Sequence, residues 1–214
     1  MPRHQFNKIE AAAVQLATAI ELYFSDDDKY VIPIHALTAN ALQVLEDLSK
    51  DEWYMQFSLK DNVLKYFPEE FHKKILKKFR EEQNFIKHAD FDKNGIINLD
   101  TAKTELMLFF ATSLASTKGY SYTSLEIKQI FSIYTIWFIL NYAEKSDVDA
   151  LGENIKVLFK LILNSRSDFY KMANIVYSSI TEQIKNFVDN NSEQIRTLFD
   201  EIARHVHTSN GIKQ

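Results

Sequence analysis

The stretch PEEFHKKILKKFREEQNFIKH, residues 68–88, decides the fold class. At about 100° per residue, Phe71, Ile75, Leu76, Phe79 and Ile86 gather on one side of a helix. Lys73, Lys77, Arg80, Asn84 and His88 line up on the other. Pro68 suits the first turn, where a missing N–H costs nothing, and Glu69 and Glu70 sit at the positive end of the helix dipole. These two acids also precede Lys73 and Lys74 by four residues, the favourable order for surface ion pairs. The polar face is therefore expected to be solvated and largely self-neutralised. Its competing use is as a basic contact stripe, with Lys73, Lys77, Asn84, Lys87 and His88 as the candidate binding residues.

Downstream, residues 84–101 read NFIKHADFDKNGIINLDT. Asp90, Asp92, Asn94, Gly95 and Ile96 stand at the spacing of positions 1, 3, 5, 6 and 7 of a calcium-binding loop, which makes Asp90, Asp92 and Asn94 candidate metal ligands. Position 12 requires a bidentate acid and is Thr101, so calcium is at most a weakly held ion here. The plainer expectation is a polar turn in which Gly95 takes a left-handed conformation and Asp100 caps the next helix.

The helical period recurs on both sides. Asn7–Phe24 carries Ile9, Ala13, Leu16, Ile20 and Phe24 on one stripe, followed by the polar loop Ser25-Asp26-Asp27-Asp28-Lys29. Pro33 opens a second helix with a buried stripe expected at Ile34, Leu37, Ala41, Val44, Leu45 and Leu48, with His35 and Thr38 beside it. Short helices or turns are expected over 49–67. Ala102–Thr117 is a further helix with Leu106, Phe109, Phe110 and Leu114 inward. Thr123 and Glu126 fit a capping box for a helix containing IFSIYTIWFIL, residues 130–140, apolar nearly all round and so expected at the centre of a C-terminal half. Apolar stripes over 148–163, 169–187 and 195–206 predict the last helices.

Composition agrees. Only 4 Gly and 3 Pro in 214 residues leave little turn material, and 46% hydrophobic content supports a packed core. The expectation is an all-α bundle of about eight helices, divided into 1–118 and 119–214 near Gly119. With no cysteine there is no disulfide, thiolate metal site or cysteine nucleophile. A net charge of −4 gives no general pull toward nucleic acid. The longest apolar run is shorter than the ~20 residues a membrane span needs, so a cytoplasmic setting is the default. There is no GxGxxG, P-loop, HExxH or GxSxG pattern, and no cofactor is expected.

Three segments carry a resemblance. Lys8-Ile9-Glu10-Ala11 with Gln15-Leu16, Ala19-Ile20 and Phe24 resembles the opening of a family of small bacterial helical proteins to which no activity is attached. Ile34-His35-Ala36-Leu37 with Ala39 and Ala41 resembles that family's second helix. Residues 84–92 are similar to its segment Asn-Phe-x-Lys-His-Ala-Asp-x-Asp, with Lys93 where the family has proline. The resemblance covers roughly the first 117 residues. More distantly, the helical arrangement resembles HEPN domains, many of which cleave RNA with an Arg followed four to six residues later by His. No pair here meets that spacing: Arg80 and His88 are too far apart, and Arg204 and His205 are adjacent.

The leading expectation is a non-enzymatic protein that binds another protein or a second copy of itself through C-terminal apolar helices. An RNA-acting HEPN-like protein is the alternative, and a weak calcium binder the third.

Overall fold

The computed structural model describes residues 5–49, 58–66, 69–87, 94–118, 124–142, 165–175 and 177. Among these the chain is all-helical: α1 (Lys8–Phe24), a 3-10 turn (Asp28–Tyr30), α2 (Val31–Ser49), α3 (Leu59–Tyr66), α4 (Glu69–Lys87), α5 (Thr101–Lys118) and α6 (Leu125–Tyr142). A further helical segment covers 166–175. The helices expected over 148–163 and 195–206, and the end of the one expected over 169–187, lie outside the described residues.

The chain forms two compact units, Met1–Tyr23 with Asp27–Phe131, and Phe24–Asp26 with Ser132–Gln214. In the first unit, local chemistry sets the helix starts. Asn7 and Glu10 exchange side-chain-to-backbone hydrogen bonds at 2.9 Å each, a capping box that fixes the first turn of α1. Asp100 Oδ1 accepts the Lys103 N–H at 3.3 Å and starts α5, the capping role expected of it. The cap of α6 falls one residue later than the spacing suggested: Ser124 Oγ accepts the Ile127 N–H at 3.3 Å.

α2 packs most extensively on α5, and α4 packs on both α2 and α3. The buried face of α2 is Ile34, His35, Thr38, Ala39, Ala41, Leu42, Leu45 and Ser49. It is rotated from the expected stripe: three of its members, His35, Thr38 and Ser49, are polar residues that a hydrophobic pattern passes over, and Leu37, Val44 and Leu48 remain half-buried. The Thr38 and Ser49 hydroxyls donate to the carbonyls of Ile34 and Leu45 one turn earlier, so their burial leaves no orphaned donor. α5 is buried nearly all round, from Leu106 through Thr112 and again at Leu114 and Ala115.

In the second unit, Phe24 is the centre of an aromatic cluster. Its ring stacks on Tyr170 at 4.8 Å and Phe169 at 5.9 Å and meets Trp137 edge-on at 6.1 Å. Asp26, with a left-handed φ of 59°, places its carboxylate 2.6 Å from both Nε and a terminal nitrogen of Arg166. Side chains from Ile133 to Leu140 are buried except for the half-buried Thr135, in keeping with the all-round apolar character of this helix. Among the described residues no helix is long and apolar enough to cross a membrane.

Candidate functional site: the α4 helix and the polar cluster behind it

α4 presents two chemically opposite faces. Ile75, Phe79, Glu82 and Gln83 are buried, while Lys73, Lys77, Arg80, Asn84 and Lys87 are exposed. On a helical projection the exposed five fall within about 40° of one line, roughly opposite Ile75 and Glu82. Among the described residues, no ion pair joins Glu69 or Glu70 to Lys73 or Lys74. Lys87 Nζ reaches Gln43 Oε1 on α2 at 3.4 Å. Gln83 Nε2 donates to the same oxygen at 3.2 Å and approaches Asn40 Oδ1 at 3.3 Å.

Of the residues singled out from sequence, His88, Asp90 and Asp92 lie outside the described residues. Asn94 is in an exposed turn and is itself engaged in a contact. Asp100 is committed to the α5 cap, and Thr101, at the loop position that calcium requires to be an acid, is the first residue of that helix. Among the described residues no three His, Asp or Glu side chains converge as a metal site would require.

Behind α4 stands a cluster whose acid and lysine the sequence pattern did not reveal. His35 (0% exposed), Glu82 (5%), Lys103 (2%) and Thr104 (5%) meet where α2, α4 and α5 join. Lys103 Nζ lies 2.7 Å from Glu82 Oε1 and donates to the Lys78 carbonyl at 2.7 Å. It also lies 5.5 Å above the Phe79 ring. His35 Nδ1 is 2.9 Å from Thr104 Oγ1, and its Nε2 faces Glu82 Oε2 at 3.5 Å with no hydrogen bond at either atom.

Burial holds the His35 imidazole down to about 4, with the Lys103 charge adding to the effect, so the ring is neutral at physiological pH. Burial pushes the Glu82 carboxyl up, against the opposing pull of Lys103. The Thr104 hydroxyl donates to the Asp100 carbonyl one turn earlier at 3.1 Å, and its oxygen lies 2.9 Å from His35 Nδ1. These buried contacts tie α2, α4 and α5 together.

A cleft of about 430 Å³ opens between α2, α3 and α4. Its lining is more polar than apolar: Leu42, Leu59 and Leu76 share it with Glu46, Asp47, Lys60 and Arg80, and Arg80 and Asn84 also belong to the exposed stripe. On the α2 wall, Glu46 Oε1 accepts the Lys60 N–H at 3.2 Å and so caps the start of α3 from another helix. Burial raises the Glu46 carboxyl, opposed by that backbone hydrogen bond and by the charge of Arg80.

Compared with known proteins, the chain shows no significant match to any family model, curated protein or solved structure.

Proposed function

We propose that this chain is a non-enzymatic interaction protein whose contact surface is the basic face of α4. The observation that carries the reading is the exposed line of Lys73, Lys77, Arg80, Asn84 and Lys87, in which Lys73 and Lys77 have no acid within ion-pair distance among the described residues. A line of cations about 21 Å long favours a partner of complementary charge and steers its approach. The sealed state of the His35–Glu82–Lys103–Thr104 cluster supports binding over turnover, since the best-arranged acid–base groups are walled off from solvent. The reading keeps the expected bacterial cytoplasmic setting and about eight helices in all.

A second reading is favoured by the same stripe: a HEPN-like protein that holds RNA through phosphate contacts. Titration of the wild type and of Lys73→Glu/Lys77→Glu with labelled RNA and with acidic peptides, monitored by fluorescence anisotropy, decides between them. Peptide binding that is lost in the double variant, with little affinity for RNA, supports the protein-binding reading. Equal binding by the double variant overturns the α4 surface for both.

A further inference from the structure

We propose that α4 is an acid-released helix: as the pH falls it parts from α2 and α5 along the His35–Glu82 contact, while α2 and α5 stay packed on each other. The inference concerns the buried face of α4 and is independent of what its exposed face binds.

The attachment of α4 is largely polar. Among the described residues, its buried side chains are the apolar Ile75 and Phe79 and the polar Glu82 and Gln83. α5, by contrast, buries an unbroken apolar run from Leu106 to Ala111 and again Leu114 and Ala115, and α2 packs on it most extensively. The α4 seam is closed by Glu82 on Lys103 at 2.7 Å and by Lys103 on the Lys78 carbonyl at 2.7 Å. Gln83 on Asn40 and Gln43, and Lys87 on Gln43, complete it. Parting along this seam hands each of these groups to water, which replaces the lost hydrogen bonds, whereas parting α2 from α5 would expose the main apolar core.

The charges at the seam set the direction. His35 faces Glu82 of α4 at 3.5 Å and feels the Lys103 ammonium of α5, and the half-buried Asp100 before α5 is the further charge felt at Glu82. With His35 neutral and Glu82 paired to Lys103, this sealed trio carries no net charge. A proton added to the imidazole leaves a net positive charge shut away from water beside Lys103, a cost that vanishes once the helices part. The open state therefore binds a proton that the closed state excludes, and acid favours opening. Glu82 has the opposite sign, because its raised carboxyl keeps a proton better when closed, and this confines the release to pH values above the ordinary carboxylate range.

The test is native-state hydrogen exchange of the full chain, read by mass spectrometry between pH 7 and pH 4 and corrected for intrinsic exchange rates. Protection of the α4 amides is expected to fall about tenfold from pH 7 to pH 5, with the α2 and α5 amides unchanged. His35→Gln, which keeps a polar side chain and takes up no proton, is expected to hold α4 protection level over that range. The wild-type profile tests the proposal even where that variant fails to fold: the fall is expected to begin near about pH 6.5, the range of a histidine set free in water. A fall confined below about pH 4.5 assigns the release to carboxylates and overturns the proposal. Equal loss of protection in all three helices, or an α4 fall that persists in folded His35→Gln, overturns it as well.

Discussion

His35 Nε2 and Glu82 Oε2 face each other at 3.5 Å across the junction of α2 and α4, both sealed from solvent and neither hydrogen-bonded. The distance is too long for a hydrogen bond and too short for a water between them. Their relation is electrostatic, and it ties the stability of the first unit to pH.

As the pH falls through about 6.5, the unfolded chain protonates His35 while the folded chain, held to about 4, does not. The unfolded state then binds the extra proton, so stability drops over the window from about 6.5 to 4, by at most about 3 kcal/mol from this group. The raised Glu82 carboxyl acts in the opposite sense: the folded state takes its proton first as the pH falls and recovers part of the loss. Urea midpoints of the wild type and His35→Phe between pH 7 and pH 4 check this. The variant is expected to lose the downward slope below pH 6.5.

Removing one member of the Glu82–Lys103 pair strands the other charge inside the protein. Lys103→Met or Glu82→Leu alone is expected to cost about 3–5 kcal/mol, and the double variant much less than the sum of the two. Denaturant unfolding of the three variants measures the coupling. Additive losses would show that the two charges do not depend on each other.

Glu46 holds the first turn of α3 from α2. Glu46→Ala is expected to cost about 1 kcal/mol, the usual worth of a helix cap, and to speed hydrogen exchange at the Lys60 amide. Exchange at Lys60 unchanged by the substitution would remove the capping role.

In the second unit, Asp26 and Arg166 are partly exposed, so their contact contributes little despite its short distance. A double-mutant cycle with Asp26→Asn and Arg166→Gln is expected to give about 0.2–1 kcal/mol of coupling, most of it lost at 1 M salt.

Much of the fold was legible because period carries it. The two faces of α4 and the cap at Asp100 could be read from spacing, since each depends on residues within a turn or two of one another. The buried cluster could not. Glu82 and Lys103 are ordinary surface residues by type, and only the packing of α4 on α5 turns them inward against each other. His35 was placed at the edge of its stripe because apolar residues alone define such a stripe, and its partner Thr104 lies 69 residues away in sequence. The one retrospective signal is that His35 and Thr38 interrupt the helix between Ile34 and Leu42 on the face that became buried. For the expected contact residues, the charge pattern gave the exposed line, but it also suggested local pairing with Glu69 and Glu70 that does not form.

Sealing Lys103 beneath α4 gives its amine a reactivity unlike that of Lys73 or Lys77. An acylating reagent meets the surface amines at every encounter, and meets Lys103 only in the moments when the helices part. The ratio of the modification rates, read by mass spectrometry, is therefore a clock for how often this interior opens in the folded protein.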